Sequence, residues 1–190
     1  MAIACGLALS MAVAASPGPK TGQLLVATRS NSHDQEFAQT VVLVIYADDK
    51  QAMGLVINRP TDVPLKTVFP EVKTAPRGTD RSFMGGPVVI DIKGLLRSRT
   101  KPDDSMALPV FGDVYVIRSK TALVRLVGQG LGPDVFRVYV GYAGWSMAQL
   151  QNEIDIGRWR VRAGDARLIF DAHPATLWPR LLQTPGKMSK

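Results

Sequence analysis

The chain has 190 residues, 46% of them apolar and 21% charged, with 17 glycines, 13 prolines and one cysteine. That is enough chain to bury one hydrophobic core without disulfide or metal staples, and its longest apolar run falls well short of the roughly 20 residues of a membrane-spanning helix, so small disulfide scaffolds, collagen-like repeats and helical membrane spans are excluded. Lysine and arginine number 23 against 16 acids, a net charge of +7, which favours anionic surfaces such as nucleic acid, lipid head groups or acidic polysaccharide without choosing among them.

Residues Met1 to Ala15 carry no charge and are dominated by Ala, Leu, Val and Met, with Ala12-Val13-Ala14 fitting a small-residue cleavage pattern and Ser16-Pro17-Gly18-Pro19 breaking any helix beyond it. Residues 1–20 therefore read as a secretory leader that lacks its basic n-region, predicting a periplasmic or secreted domain; the alternative is an extension on a cytoplasmic protein. The single Cys5 belongs to this leader and forms no internal disulfide.

From residue 21 to about 185 no composition break divides the chain, so one domain is expected, with residues 186–190 as a disordered tail. Gln23 to Thr28, Val41 to Tyr46 and Met53 to Asn58 are short runs rich in β-branched residues and read as buried strands, the last two joined as a hairpin through Asp48-Asp49-Lys50-Gln51. Asp34 to Gln39 reads as one turn with Phe37 pointing inward. Pro60 ends the third strand, and Asp62-Val63-Pro64 resembles a helix start leading into Leu65, Val68 and Phe69. Gly85-Gly86-Pro87 reverses the backbone into Val88 to Ile92; Gly94 to Arg99 and Val114 to Arg118 read as two more strands, with Lys101 to Ser105 a polar connection. A helix is predicted over Lys120 to Gly128 and a strand over Phe136 to Val140. Ser146-Met147-Ala148-Gln149 is a capping box with Trp145 and Leu150 placed as a hydrophobic staple, and Gly157 closes that helix. Trp159 and Val161 alternate with Arg158, Arg160 and Arg162 in a strand; Arg167 to Phe170 reads as the last strand, and Pro174 opens a final helix. The pattern is α+β with mostly antiparallel pairing, and regular βαβ alternation is missing.

Catalytic chemistry finds little support in these residues. His33 and His173 are the only histidines, neither accompanies a G-x-S-x-G turn, and two distant histidines with a leader cysteine cannot supply a zinc site. Asp48-Asp49 and Asp103-Asp104 read as solvated turns, Asp171 as a cap accepting backbone N–H groups, and Gly128 to Pro133 as a loop without the Lys-Ser/Thr of a phosphate-binding motif. The Arg158, Arg160, Arg162 row projects guanidiniums where they could grip phosphates or carboxylates; the same residues would equally guard an exposed strand.

Gly54-Leu55-Val56-Ile57-Asn58-Arg59-Pro60, Gly85-Gly86-Pro87-Val88 and Gly141-Tyr142-Ala143-Gly144-Trp145, followed by Gln149-Leu150, Glu153-Ile154, Trp159, Phe170-Asp171 and Leu177-Trp178, resemble the YqgE/AlgH family of bacterial proteins from about Gly22 to Leu182. The resemblance implies a single α+β domain with a mostly antiparallel sheet rolled into a pseudo-barrel flanked by short helices, and no established activity or cofactor. The family's link to alginate regulation implies a transcription-linked role. Asp34-Gln35-Glu36-Phe37 departs from the Asp-Pro-x-Phe usual in the family, and a secretory leader is unusual there.

Within these motifs, Asn58 and Arg59 could join the Gly85 and Gly86 backbone N–H groups in a small anion pocket. The other reading is architectural: the glycines let chains cross closely, and Arg59 pairs with a carboxylate such as Glu153 or Asp171. The sequence thus predicts a non-enzymatic binding or regulatory domain, without metal or cofactor, whose partner is an anionic ligand or a protein. A nucleic-acid-binding regulator is the alternative, and a hydrolase or transferase using Asn58 and Arg59 is the third reading.

Overall fold

In a computed structural model, the structure describes residues 18–29, 35–72, 81–103, 105 and 107–183. The expected leader up to residue 17, the tail from residue 184, His33, Asp34 and Asp104 lie outside the described residues.

Ten strands are described: β1 (Gln23–Ala27), β2 (Val41–Ala47), β3 (Gln51–Val56), β4 (Pro60–Pro64), β5 (Arg81–Met84), β6 (Val88–Arg97), β7 (Ala107–Phe111), β8 (Val114–Ile117), β9 (Phe136–Ser146) and β10 (Trp159–Ala163). The helices are α1 (Leu65–Val68), α2 (Lys120–Gly128), α3 (Met147–Asp155), α4 (Ala166–Ile169) and α5 (Leu177–Gln183), with a 3-10 turn over Pro174–Thr176. The strands form one sheet in the order β10-β1-β2-β3-β9-β6-β8-β7, antiparallel along that path, with β5 pairing β9 in parallel and β4 pairing β5. The sheet curls into a half-barrel, in line with the rolled sheet that the family resemblance implies, and Phe111 at one end of it packs on Gly22 and Gly164 at the other.

The long strand β9 makes the curl. Its C-terminal residues Ala143–Ser146 pair with β3, while Phe136–Val140 pair with β6, and β5 takes the side that β3 has left by aligning Phe83 and Met84 with Tyr139 and Val140. Apolar side chains from eight strands, among them Leu24, Leu43, Leu55, Leu95, Val116 and Tyr139, fill the concave side, which Ile169, Phe170, Leu177 and Leu181 plug from the C-terminal helices. On the outer face, α2 packs Leu123, Leu126 and Val127 over β6, β8 and β9, and α3 packs Leu150 beside Trp145 and Trp159.

The early elements form where expected. Asp48 closes the β2–β3 hairpin by accepting the N–H groups of Lys50 (2.9 Å) and Gln51 (2.8 Å). Ser146 caps α3 through the Gln149 N–H at 3.1 Å, but the Gln149 side chain turns forward to Glu153 instead of back, so only half the capping box forms.

Three expectations are corrected, and one strand that the sequence reading did not contain is added. Pro60–Pro64 is a strand, because its backbone needs only one partner: β5 pairs on one side, helped by Thr61 Oγ1 bonding to Ser82, and an edge strand tolerates proline. Val88 to Arg97 is one strand, not two, since Gly94 marks a close approach of Phe136 and Leu123 and not a break. Ala107–Phe111 is a strand, a Pro109-bearing edge beside β8. Arg167 to Phe170 belongs to a one-turn helix: Asp165 accepts the Arg167 N–H at 2.9 Å and caps it, and the turn buries Ile169 while Arg167 stays outside.

Candidate functional site

The sequence motifs meet at the junction of β3, β5, β6 and β9. Asn58 is buried; its Oδ1 accepts the Val41 N–H at 2.8 Å and its Nδ2 donates to the Gln39 carbonyl at 2.9 Å. Arg59 donates from Nη1 to the Glu36 carbonyl (2.6 Å) and from Nη2 to the Ala38 carbonyl (2.9 Å). Together they hold the 35–39 turn, including Gln39 at φ 59°, and that turn sets Phe37 against Trp145 and Trp159 with ring centroids 5.4 Å apart in both pairs. Neither carboxylate named for Arg59 is its partner: Glu153 accepts the Trp159 Nε1–H at 2.7 Å, and Asp171 accepts the His173 N–H (2.7 Å) and pairs with Arg180 (2.6 Å). Backbone carbonyls serve instead, because the turn lies directly beside the exit of β3 and presents them outward.

Gly85 stands between the two halves of the sheet, accepting the Val56 N–H (2.8 Å) and donating to the Val140 carbonyl (2.7 Å). Its α-carbon lies against the Gly141 carbonyl, and Gly141 itself is at φ +78° with the Gly86 carbonyl 2.6 Å from where a side chain would begin. The donors of Asn58 and Arg59 and the Gly85 N–H are thus committed to the fold.

The arginine row divides. Arg158 is in the turn before β10, where its carbonyl accepts the Thr28 N–H. Arg160 and Arg162 are in register with Val26 and Leu24, which places them on the face covered by α5. Arg160 donates to the Leu182 carbonyl at 3.0 Å and lines a groove of about 420 Å³ with Arg29 and Trp178. The Arg162 guanidinium is held below its ordinary range by desolvation and by the charge of Arg160.

Two further cations on the concave side escaped the sequence reading, which takes a charged residue in a strand to face water. Arg137 is buried, donating to the carbonyls of Pro133 (2.8 Å), Ile169 (2.8 Å) and Asp171 (2.6 Å), with the rings of Phe83 and Phe170 at 5.0 and 5.8 Å. Beside it the Tyr139 hydroxyl is buried with no hydrogen-bond partner among the described residues, and burial pushes its phenol well above the ordinary value, against the pull of Arg137.

Lys93, in register with Tyr139, is the other. Only 5% of its side chain is exposed; it pairs with Asp91 and its ammonium lies 5.7 Å from the Tyr142 ring. β6 runs on past β8 here, leaving a cleft of about 380 Å³ lined by Asp91, Lys93, Ser105 and Arg118, over Ala107 and Leu108, with Ser119 at the start of α2. The nine-residue α2 turns its positive end toward it, with Ser119 capping the Ala122 N–H. The sequence signal for Lys93 is its place between Ile92 and Gly94-Leu95-Leu96, an isolated cation inside an apolar strand. Among the described residues no group of three or more His, Cys, Asp or Glu side chains converges as for a metal, and no helix is long and apolar enough to cross a membrane.

Known proteins resemble this chain in sequence and in fold. A UPF0301 protein of Ralstonia pickettii is 35% identical over 171 residues, covering 87% of this chain and 88% of the relative, and one of Thiobacillus denitrificans is 34% identical over 156 residues, covering 80% and 83%. Among solved structures, the AlgH protein of Pseudomonas aeruginosa superposes with a TM-score of 0.68 at 27% identity, covering 85% of each chain. Protein DIP2367 of Corynebacterium diphtheriae shares the fold, with a TM-score of 0.71 at 21% identity over 90% of this chain and 88% of that one. The AlgH-like family model matches residues 24–189, nearly the whole of the described chain, and the chain belongs to the AlgH-like family.

Proposed function

We propose that this protein is a binding domain without catalytic activity of its own, and that its ligand presents an anionic group, a carboxylate or a phosphate, to the cleft of Lys93 and Arg118. The observation that carries the reading is Lys93. An ammonium drawn out of water costs several kcal/mol unless compensated, and one acid, Asp91, is its ion-pair partner. With Arg118 at the rim and the start of α2 behind it, the described residues of the cleft present two cations to one carboxylate, which favours an incoming anion. Ser105 and Ser119 supply hydroxyls at the same wall.

Titration with inorganic phosphate and with acetate, followed by amide shifts in two-dimensional NMR, tests this. Saturable shifts are expected at residues 91–93, 105 and 118–121, with Lys93→Met weakening them at least tenfold, roughly the 1.4 kcal/mol or more of a charge-assisted hydrogen bond, and Arg118→Ala weakening them less. Unchanged binding in Lys93→Met would overturn the reading.

The leader supports placing this domain outside the cytoplasm, where regulation by direct contact with DNA is untenable. Fractionation of a full-length chain tagged at its C-terminus is expected to give a shortened, periplasmic or secreted form; a full-length cytosolic form would return the nucleic-acid reading, with its steep loss of affinity in salt.

A further inference from the structure

β6 is longer than the strand beside it. Its register with β8 begins at Gly94, so on that side Val88 to Lys93 have no strand partner among the described residues. On the other side, Val88 pairs with Tyr142 and Ile92 with Val140, so three residues of β6 face the single Gly141 and the strand bulges outward. The tip of the bulge is apolar: Val89 is 59% and Ile90 87% exposed.

Open strand edges are ordinarily guarded by charge or proline. Here the residues at the tip are valine and isoleucine, and the lysine that could guard them is turned into the cleft, where it meets Asp91. An edge without a neighbouring strand among the described residues, its Ile92 N–H taken up by Asp91 Oδ1 at 2.8 Å, an apolar tip and a cationic cleft therefore lie within six consecutive residues of one strand and the start of α2.

We infer that the partner is an extended acidic segment of another protein, which adds along the free edge of β6, packs apolar side chains on Val89 and Ile90, and places a carboxylate between Lys93 and Arg118. Main-chain pairing to an exposed edge supplies affinity and the pocket beside it supplies selectivity. Charge complementarity favours an acidic occupant: the described residues of the cleft have two cations to one acid and the chain carries +7. The inference rests on the anion reading of the cleft and adds to it the strand edge and the class of partner.

Selection of a random peptide library on the immobilised full-length chain tests it. Enrichment is expected for peptides that place an acidic residue within three positions of β-branched apolar residues, and a synthetic copy should titrate the amides of residues 88–93. Ile90→Ser, a neutral change at a site exposed enough to leave folding intact, should weaken that peptide at least tenfold while leaving the inorganic phosphate titration unchanged; Lys93→Met should weaken both. No acidic and apolar consensus, or peptide binding indifferent to Ile90→Ser, would overturn the strand addition. Absence of the phosphate titration alone would overturn the anion reading of the cleft, so the two failures are told apart.

Discussion

Gly85→Ala is expected to destabilise this protein by about 3 kcal/mol or more, lowering the melting temperature by roughly 6–12 °C for a domain of this size. The added methyl group would fall on the Gly141 carbonyl oxygen and within 3.1 Å of the Tyr139 Cβ. Neither obstacle is the movable end of a flexible side chain. The Gly141 backbone is held at φ +78°, with the Gly86 and Val88 carbonyls 2.6 and 3.0 Å from where a side chain would begin, which leaves it little room to move. Gly85 is also the one residue that accepts from Val56 of β3 while donating to Val140 of β9, so moving it aside breaks the link across which the sheet curls. Gly130→Ala is the matched control: φ there is +64°, but nothing lies within 4 Å of the new atom, so only the conformational cost of about 1–2 kcal/mol applies. Urea denaturation of both variants measures the difference. Equal losses would mean that close packing at the crossing contributes nothing beyond backbone conformation.

The contrast between these glycines shows where sequence reading succeeds and where it stops. The strands around Leu24, Leu43 and Leu55 were legible because runs of β-branched and aliphatic residues have few other places to go, and α2 and α3 because Ser119 and Ser146 precede them as caps. In β7, Pro109 argues locally against pairing, and in α4 the stretch Arg167 to Phe170 has strand composition; in each case one partner decides, β8 for the first and the Asp165 cap for the second. The motif of Asn58 and Arg59 drew attention to the right residues, but whether their donors face a ligand or the backbone of residues 36–41 depends on how a turn nearly twenty residues upstream folds back, and no local pattern contains that. Lys93 and Arg137 were passed over for a different reason. Which face of a strand is concave emerges only when β9 passes from β6 and β5 to β3 along its length, so the side on which these cations lie is a property of the curled sheet.

Arg137→Met should cost about 3–5 kcal/mol, and Arg137→Lys should cost nearly as much. The guanidinium holds three carbonyls from two separate parts of the chain: Pro133 before β9, Ile169 at the end of α4, and Asp171 beyond it. Methionine fills the space between the Phe83 and Phe170 rings but leaves these acceptors without their donor, at about 1–3 kcal/mol for each that water does not reach. Lysine keeps the charge, yet its three donors radiate from a single nitrogen and cannot span acceptors that a planar fork reaches from three different nitrogens. The location of the damage separates this from general loosening. Arg137 ties the C-terminal segment, whose Ile169, Phe170, Leu177 and Leu181 plug the concave side, to the strand at the centre of the sheet. Hydrogen exchange should therefore accelerate first at residues 166–183 in both variants, with the amides of β1, β2 and β3 still exchanging through global unfolding. Uniform acceleration across the sheet would mean that Arg137 supports the core as a whole and does not act as a clasp on its plug.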